Sequence, residues 1–168
     1  VYDLSALRAR QTRDEFLSPA GGGVWRFATL LPAFPRRITL GEGSTPALDA
    51  PRLAEELGLG ALWLKDESLN PTGSFKARGM AVAVSRLVDI GARRAAIPSA
   101  GNAGLALAAY GAAAGISADI FIPADTPAGM AEECRLYGAR VVAVDGVISD
   151  AARLMTAEIG ETGAAVAS

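Results

Sequence analysis

The sequence contains no histidine and a single cysteine, Cys134. Without histidine there is no Ser-His-Asp or Cys-His relay, no imidazole metal ligand, and no side chain that ordinarily titrates near neutral pH. One cysteine excludes an internal disulfide and a Cys-x-x-Cys centre. Cys134 falls in a helical pattern with Met130 and Tyr137, as a core residue does. An excess of one charge is missing too: the net charge is −2, and the longest basic runs are Arg36-Arg37 and Arg93-Arg94. Nothing in that distribution advertises a nucleic acid or an anionic membrane. Val1 to Arg13 mix charges without the apolar core of a secretory leader. The uncharged run Ala95 to Ala118 is mostly Ala, Gly, Ser and Asn and contains Pro98, which reads as strand, loop and buried helix, not as a membrane span. These absences point to a soluble, cytoplasmic chain with no metal site. Its chemistry falls to Lys, Asp, Glu, Ser, Thr or a cofactor.

What is present is a folded globular composition, 51% hydrophobic and 20% charged over 168 residues. Residues 1–60 read as an N-terminal arm and a first helix. Leu4, Ala6 and Leu7 suggest a short helix, Gly21-Gly22-Gly23 a flexible break, and Pro32, Pro35 and the arginines an ordered arm. A short strand, Ile38-Thr39-Leu40, precedes Gly41-Glu42-Gly43-Ser44-Thr45-Pro46. That segment begins like a dinucleotide fingerprint, but Pro46 stands where its third glycine belongs, so a plain turn fits as well. Pro51 to Gly58 has the proline-first, glycine-last signature of a helix.

From residue 61 to 168 the pattern becomes regular. Strands at Ala61–Lys65, Ala95–Ile97, Asp119–Ile122, Val141–Val144 and Ala164–Ala167 alternate with helices from Lys76, after Asn102, after Thr126 and near Asp150. Short apolar strands alternating with helices mean an α/β fold, a parallel sheet flanked by helices on both faces.

Two segments carry candidate chemistry. Pro71-Thr72-Gly73-Ser74-Phe75-Lys76 leads into an apolar helix that Gly91 can end and Thr72 or Ser74 can cap. At helical spacing Lys76 shares a face with Gly79, Met80, Ala83 and Leu87, whereas Arg78, Ser85, Arg86 and Asp89 gather elsewhere. That face predicts a buried lysine, whose amine is neutral often enough to attack a carbonyl. The competing reading is a packed stem with its ammonium in solvent. The second segment, Ser99-Ala100-Gly101-Asn102, stands at the carboxyl end of a strand, where ligands of such sheets bind. Its glycine permits close approach, its amides open a helix, and Ser99 and Asn102 offer hydrogen bonds. Helix capping alone would also account for those residue types.

Together these segments resemble the fold type II pyridoxal-phosphate enzymes, the family of the tryptophan synthase β-subunit. Within it they are most similar to the threonine synthases. The matching pieces run in the family's order: Leu40 to Pro46, Lys65-Asp66-Glu67, Asn70 to Lys76, Ser99 to Gly104, Pro123 to Pro127, Glu133-Cys134, Gly138-Ala139 and Val144-Asp145-Gly146. The resemblance implies that Lys76 is the catalytic lysine, holding pyridoxal 5'-phosphate as an internal aldimine. It implies that Phe75 packs beside the ring, that Asn102 bonds the ring's phenolic oxygen, and that Ser99, Ala100, Gly101 and Asn102 receive the substrate. The implied reaction is that of a lyase in threonine biosynthesis, converting O-phospho-L-homoserine and water to L-threonine and phosphate, in a homodimer when full length. Ala77 stands where threonine synthases carry an acid, and Lys-x-Arg-Gly with an apolar x resembles the serine/threonine dehydratases. A cysteine synthase relative and a non-catalytic α/β module are also compatible with these segments. Family members are longer, so the chain is expected to be an N-terminal portion. The cofactor's phosphate loop and its pyridine-nitrogen partner are then expected to lie outside it.

Overall fold

The computed structural model describes residues 3–10 and 22–167. A short helix, α1 (Leu4–Arg10), stands first, as the leucine spacing predicts. The arm that follows is ordered through its apolar side chains. Trp25, Phe34 and Ile38 are buried, and the Trp25 indole stacks edge-on against Phe34 and donates to the Ile38 carbonyl at 3.2 Å. Gly21 lies outside the described residues, but Gly23 is no flexible break. At φ +70° it packs so closely on the Glu42 carbonyl that a Cβ would sit 2.2 Å from the oxygen. Nor do Ile38 to Leu40 form the predicted strand, because their amides are spent on side chains. Ile38 donates to the Ser85 hydroxyl at 2.8 Å and Leu40 to the Glu42 carboxylate at 3.0 Å.

Strand β1 (Ala47–Asp49) pairs antiparallel with β2 (Trp63–Lys65) around helix α2 (Pro51–Glu56). The lysine turn then leads into α3 (Lys76–Asp89) and the regular half of the chain: β3 (Arg94–Pro98), α4 (Asn102–Ala114), β4 (Ser117–Pro123), α5 (Ala128–Leu136), β5 (Arg140–Val144), α6 (Ile148–Thr162) and β6 (Ala165–Val166). Strands β5-β4-β3-β6 form one parallel sheet in that order. Period-two alternation divides its side chains between two cores. Ala95, Ile97, Ile120, Ile122 and Val141 face α4 and α5, while Ala96, Phe121 and Val142 meet Ala151 and Met155 of α6. Helix α4 is apolar all round and buried from Gly104 to Gly111, because the sheet covers one side and α3 the other.

The opposite, amino end of the sheet carries an ion network that the residue pattern did not single out. Asp119, buried on β4, accepts from Arg94 at 2.5 and 3.0 Å and from Arg140 at 2.9 Å; Arg140 also reaches Glu158 at 2.5 Å. Burial opposes ionisation of Asp119, but the hydrogen bonds from Arg94 and Arg140 outweigh it and hold the carboxyl below its ordinary value of 3.8. A depressed carboxyl contributes stability that is fully present above its unfolded value and is lost as pH falls toward the folded one. The chain is therefore expected to lose stability below about pH 3.8. Asp119→Asn should cost about 2 kcal/mol at neutral pH and flatten that acid limb in urea melts taken across pH. An unchanged limb would remove Asp119 from the account.

Candidate active site

Each strand of a parallel sheet is reached from one helix and left into the next, so the helices run against the strands and start at their carboxyl end. Helices α3 and α4 flank β3 in this way and pack on each other, and the Pro71–Gly73 turn rests on α4. Lys76, the first residue of α3, and Asn102, the first of α4, thus open neighbouring helices at one end of the sheet.

The buried stripe of α3 is Ala77, Met80, Ala81, Val84, Ser85 and Leu87, rotated one residue from the predicted face. Lys76 is accordingly exposed, and the buried-amine reading does not hold for this chain. The rotation follows from Ser85, a polar residue that can be buried because both its hydrogen-bonding roles are filled: it donates to the Ala81 carbonyl at 2.7 Å and accepts from Ile38. The Lys76 ammonium lies 5.0 Å from the centre of the Phe75 ring, which is itself 58% exposed. Neither Thr72 nor Ser74 caps α3 through its side chain in the expected way; Phe75 occupies the cap position, and the Ser74 hydroxyl accepts from the Lys76 amide at 3.4 Å.

The turn before the lysine is strained. Thr72 has φ +62°, a left-handed conformation that costs a β-branched residue about 1–2 kcal/mol. Such strain persists where surrounding contacts over-determine it, and here they centre on Glu67. Its carboxylate takes both arms of the Arg78 guanidinium at 2.6 and 2.7 Å, the Thr45 hydroxyl at 2.6 Å and the Asn70 amide at 2.9 Å. The hydrogen bond from Arg78, then that from Thr45, lowers the Glu67 carboxyl to about 2. Asn70 in turn accepts from the Gly43 amide at 2.8 Å, and its carbonyl accepts from Gly73 at 2.9 Å. Lys65 donates to the Thr45 carbonyl and hydroxyl. Sequence reasoning placed Lys65-Asp66-Glu67 and Asn70 in a motif without giving them a role, and it gave Arg78 only a place on the polar side of the helix and in the Lys-x-Arg-Gly pattern. The available signal was a polar run, Lys65 to Ser68, set beside the lysine turn.

A second tie joins the Gly41–Pro46 segment to α4. Tyr110, buried on α4, donates to Glu42 at 2.6 Å, and that same oxygen accepts from Thr39 and Leu40. Burial, then Glu42, pushes the phenol above its ordinary value.

After β3, the half-buried Ser99, Ala100 and Gly101 form the turn into α4. The Ser99 hydroxyl accepts from the amides of Gly101 at 3.3 Å and Gly104 at 3.1 Å, so it shapes the turn from within. Gly101 has open space where a Cβ would project, and Asn102 is exposed. Gly104 has no such room: a Cβ there would stand 2.8 Å from Ile120 and 2.9 Å from the Ser99 carbonyl.

Residues 38–168 match the family model described as pyridoxal-phosphate dependent enzyme. The chain belongs to that family. It is 38% identical over 156 residues to a threonine synthase of Methanosarcina acetivorans, covering 92% of this chain and 38% of the relative. It is 42% identical over 116 residues to one of Synechocystis, covering 68% and 30%. Among solved structures, maize serine racemase superposes with a TM-score of 0.66 at 28% identity, over 74% of this chain and 38% of that one. Holo diaminopropionate ammonia lyase of Escherichia coli superposes with a TM-score of 0.72 at 22% identity, over 77% and 38%, a likeness of fold alone. The chain thus spans well under half the length of the curated relatives it matches.

Pyridoxal phosphate offers an aldehyde, an aromatic ring and anionic oxygens, and the residues at this end of the sheet suit part of it. An exposed amine at Lys76, an exposed ring at Phe75, an exposed side-chain amide at Asn102 and helix-opening amides above an open glycine are complementary to those groups. Leu69, two residues before the lysine turn, is 65% exposed as well.

Proposed function

We propose that this chain is the lysine-bearing portion of a threonine synthase, a soluble, cytoplasmic and homodimeric enzyme that turns O-phospho-L-homoserine and water into L-threonine and phosphate. The observation that carries the reading is that the Lys76 turn and the Ser99–Asn102 turn open two helices that pack on each other at one end of the parallel sheet. The similarity to threonine synthases of several organisms supports the choice of reaction; among the described residues, no helix is long and apolar enough to cross a membrane. In this reading residues 1–60 are an N-terminal arm and first helix, and residues 61–168 are the α/β domain that carries the lysine helix and the Ser-x-Gly-Asn loop.

When bound, pyridoxal phosphate supplies the electron sink that makes carbanion chemistry accessible. Lys76 supplies the amine that attaches the cofactor. The same amine, when not holding the cofactor, would be the base that takes a proton from the substrate's Cα. Phe75 gives the ring an apolar neighbour, and Asn102 orients its phenolic oxygen. The amides of Ala100, Gly101 and Asn102 receive the substrate carboxylate, with Ser99 fixing their turn.

Adding pyridoxal phosphate to the chain is expected to give a visible absorbance band, and borohydride is expected to fix the label on Lys76 in the peptide map. Label on Lys65 or on the terminal amine in place of Lys76 would overturn the cofactor assignment. Phosphate release from O-phospho-L-homoserine by the protein that contains this chain tests the substrate. A second reading, a serine/threonine dehydratase, is favoured by Ala77: the side chain is fully buried, leaving an acid at that position no water to face. Formation of 2-oxo acid from L-serine or L-threonine, with no phosphate release, would select it.

A further inference from the structure

Among the described residues, no side chain holds the Lys76 amine by a hydrogen bond; its neighbour is the Phe75 ring. What is fixed is the backbone beneath it. We propose that Glu67 and Arg78 are positioning residues for Lys76, an ion-paired clamp that grips the first turn of α3 from behind and sets where the amine emerges. The proposal rests on reading Lys76 as the cofactor lysine.

Arg78 follows Lys76 by two residues, about 200° round the helix, so it leaves the turn on the far side from the amine. Its guanidinium meets Glu67 through two parallel hydrogen bonds, Nε to Oε2 at 2.6 Å and Nη2 to Oε1 at 2.7 Å. Two parallel bonds fix orientation as well as distance, which a single point charge cannot do. Arg78 also donates to the Thr45 hydroxyl at 3.2 Å, so the clamp closes on the Gly41–Pro46 segment. From the other side, the Asn70 amide donates to the Glu67 carbonyl at 3.0 Å as well as to its carboxylate, and Asn70's carbonyl holds Gly73. The strained Thr72–Gly73 turn is therefore pinned at both ends by one carboxylate. Arg78 and Glu67 are each about a quarter exposed, so water can solvate either one alone. Their use lies in geometry. A lysine that must first hold an aldehyde and then move a proton needs its stem placed to within a fraction of an ångström.

Arg78→Lys keeps the charge and loses the fork; Glu67→Gln keeps the shape and loses the charge. Two measurements test the clamp. In the chain alone, amide exchange at Ala77 to Met80 should rise about tenfold in either variant, with α4 amides from Leu105 to Gly111 unmoved. With pyridoxal phosphate added, the ratio of visible circular dichroism to absorbance should fall by about half, because a loosened lysine leaves the chromophore without a single orientation. A purely structural role would instead raise exchange in α3 and α4 together and lower dichroism and absorbance in proportion. Either that result or no change in exchange would overturn the clamp. A wild-type chain with no visible band but with local loosening in the variants would sink the cofactor reading and leave the clamp standing.

Discussion

Lys76→Ala is expected to abolish the borohydride-fixed label and the visible band completely while leaving the fold intact. The structural half of that expectation follows from exposure. Lys76 buries no ammonium, and its contact with Phe75 lies at the surface, where a cation–π interaction contributes about 0.5–1 kcal/mol. The helix loses little, since alanine is the better helix former. The urea midpoint should therefore stay within about 0.5 kcal/mol of the parent. The chemical half turns on how few amines compete: besides the terminal amine, the sequence holds one further lysine, Lys65, and that amine is committed to Thr45. Mass spectrometry after reduction and a urea melt check both halves. A label that survives Lys76→Ala would move the site elsewhere, and a melt shifted by several kcal/mol would mean that the lysine is structural.

The sheet was legible in the sequence because its strands are short apolar runs punctuated by glycines that end helices, as at Gly115 (φ +75°) and Gly163 (φ +66°). Where the pattern failed, tertiary hydrogen bonds had taken the backbone: Ile38 to Leu40 look like a strand by residue type, but Ser85 and Glu42 claim their amides. Strand β1 escaped notice because its partner is β2 and its residues are exposed, so no burial period marks it. What the sequence pattern could not give for the candidate lysine was its exposure. A face count around α3 gave Lys76 an apolar side, but it could not weigh Ser85, whose burial needs Ile38 from another part of the chain. The Glu67–Arg78 pair is a contact across eleven residues that bends back through a strained turn, and no helical or strand period reports such a contact.

Gly104 decides how closely α4 meets β4, and Gly104→Ala is expected to be the most damaging glycine-to-alanine change inside a described helix of the regular half of the chain. Two effects oppose each other. Alanine within a helix gains up to about 1 kcal/mol over glycine from propensity. Against that, the new Cβ would fall 2.8 Å from the Ile120 side chain and 2.9 Å from the Ser99 carbonyl. Ile120 is fully buried and cannot swing away, and the Ser99 oxygen belongs to the backbone of the candidate site. Overpacking of this kind costs about 1–3 kcal/mol, and contact with backbone on one side places Gly104→Ala toward the upper end. Relief comes by moving α4 off β4 or by shifting the Ser99–Asn102 turn, so stability and cofactor binding should fall together. Gly160→Ala is the matched control. That glycine lies inside α6 with nothing within 4 Å of the added methyl, so the same substitution should raise stability by about 0.5–1 kcal/mol. Urea melts of the two variants should therefore shift in opposite directions. If both shift upward, the close packing of α4 on Ile120 is not what holds the Ser99–Asn102 turn in place.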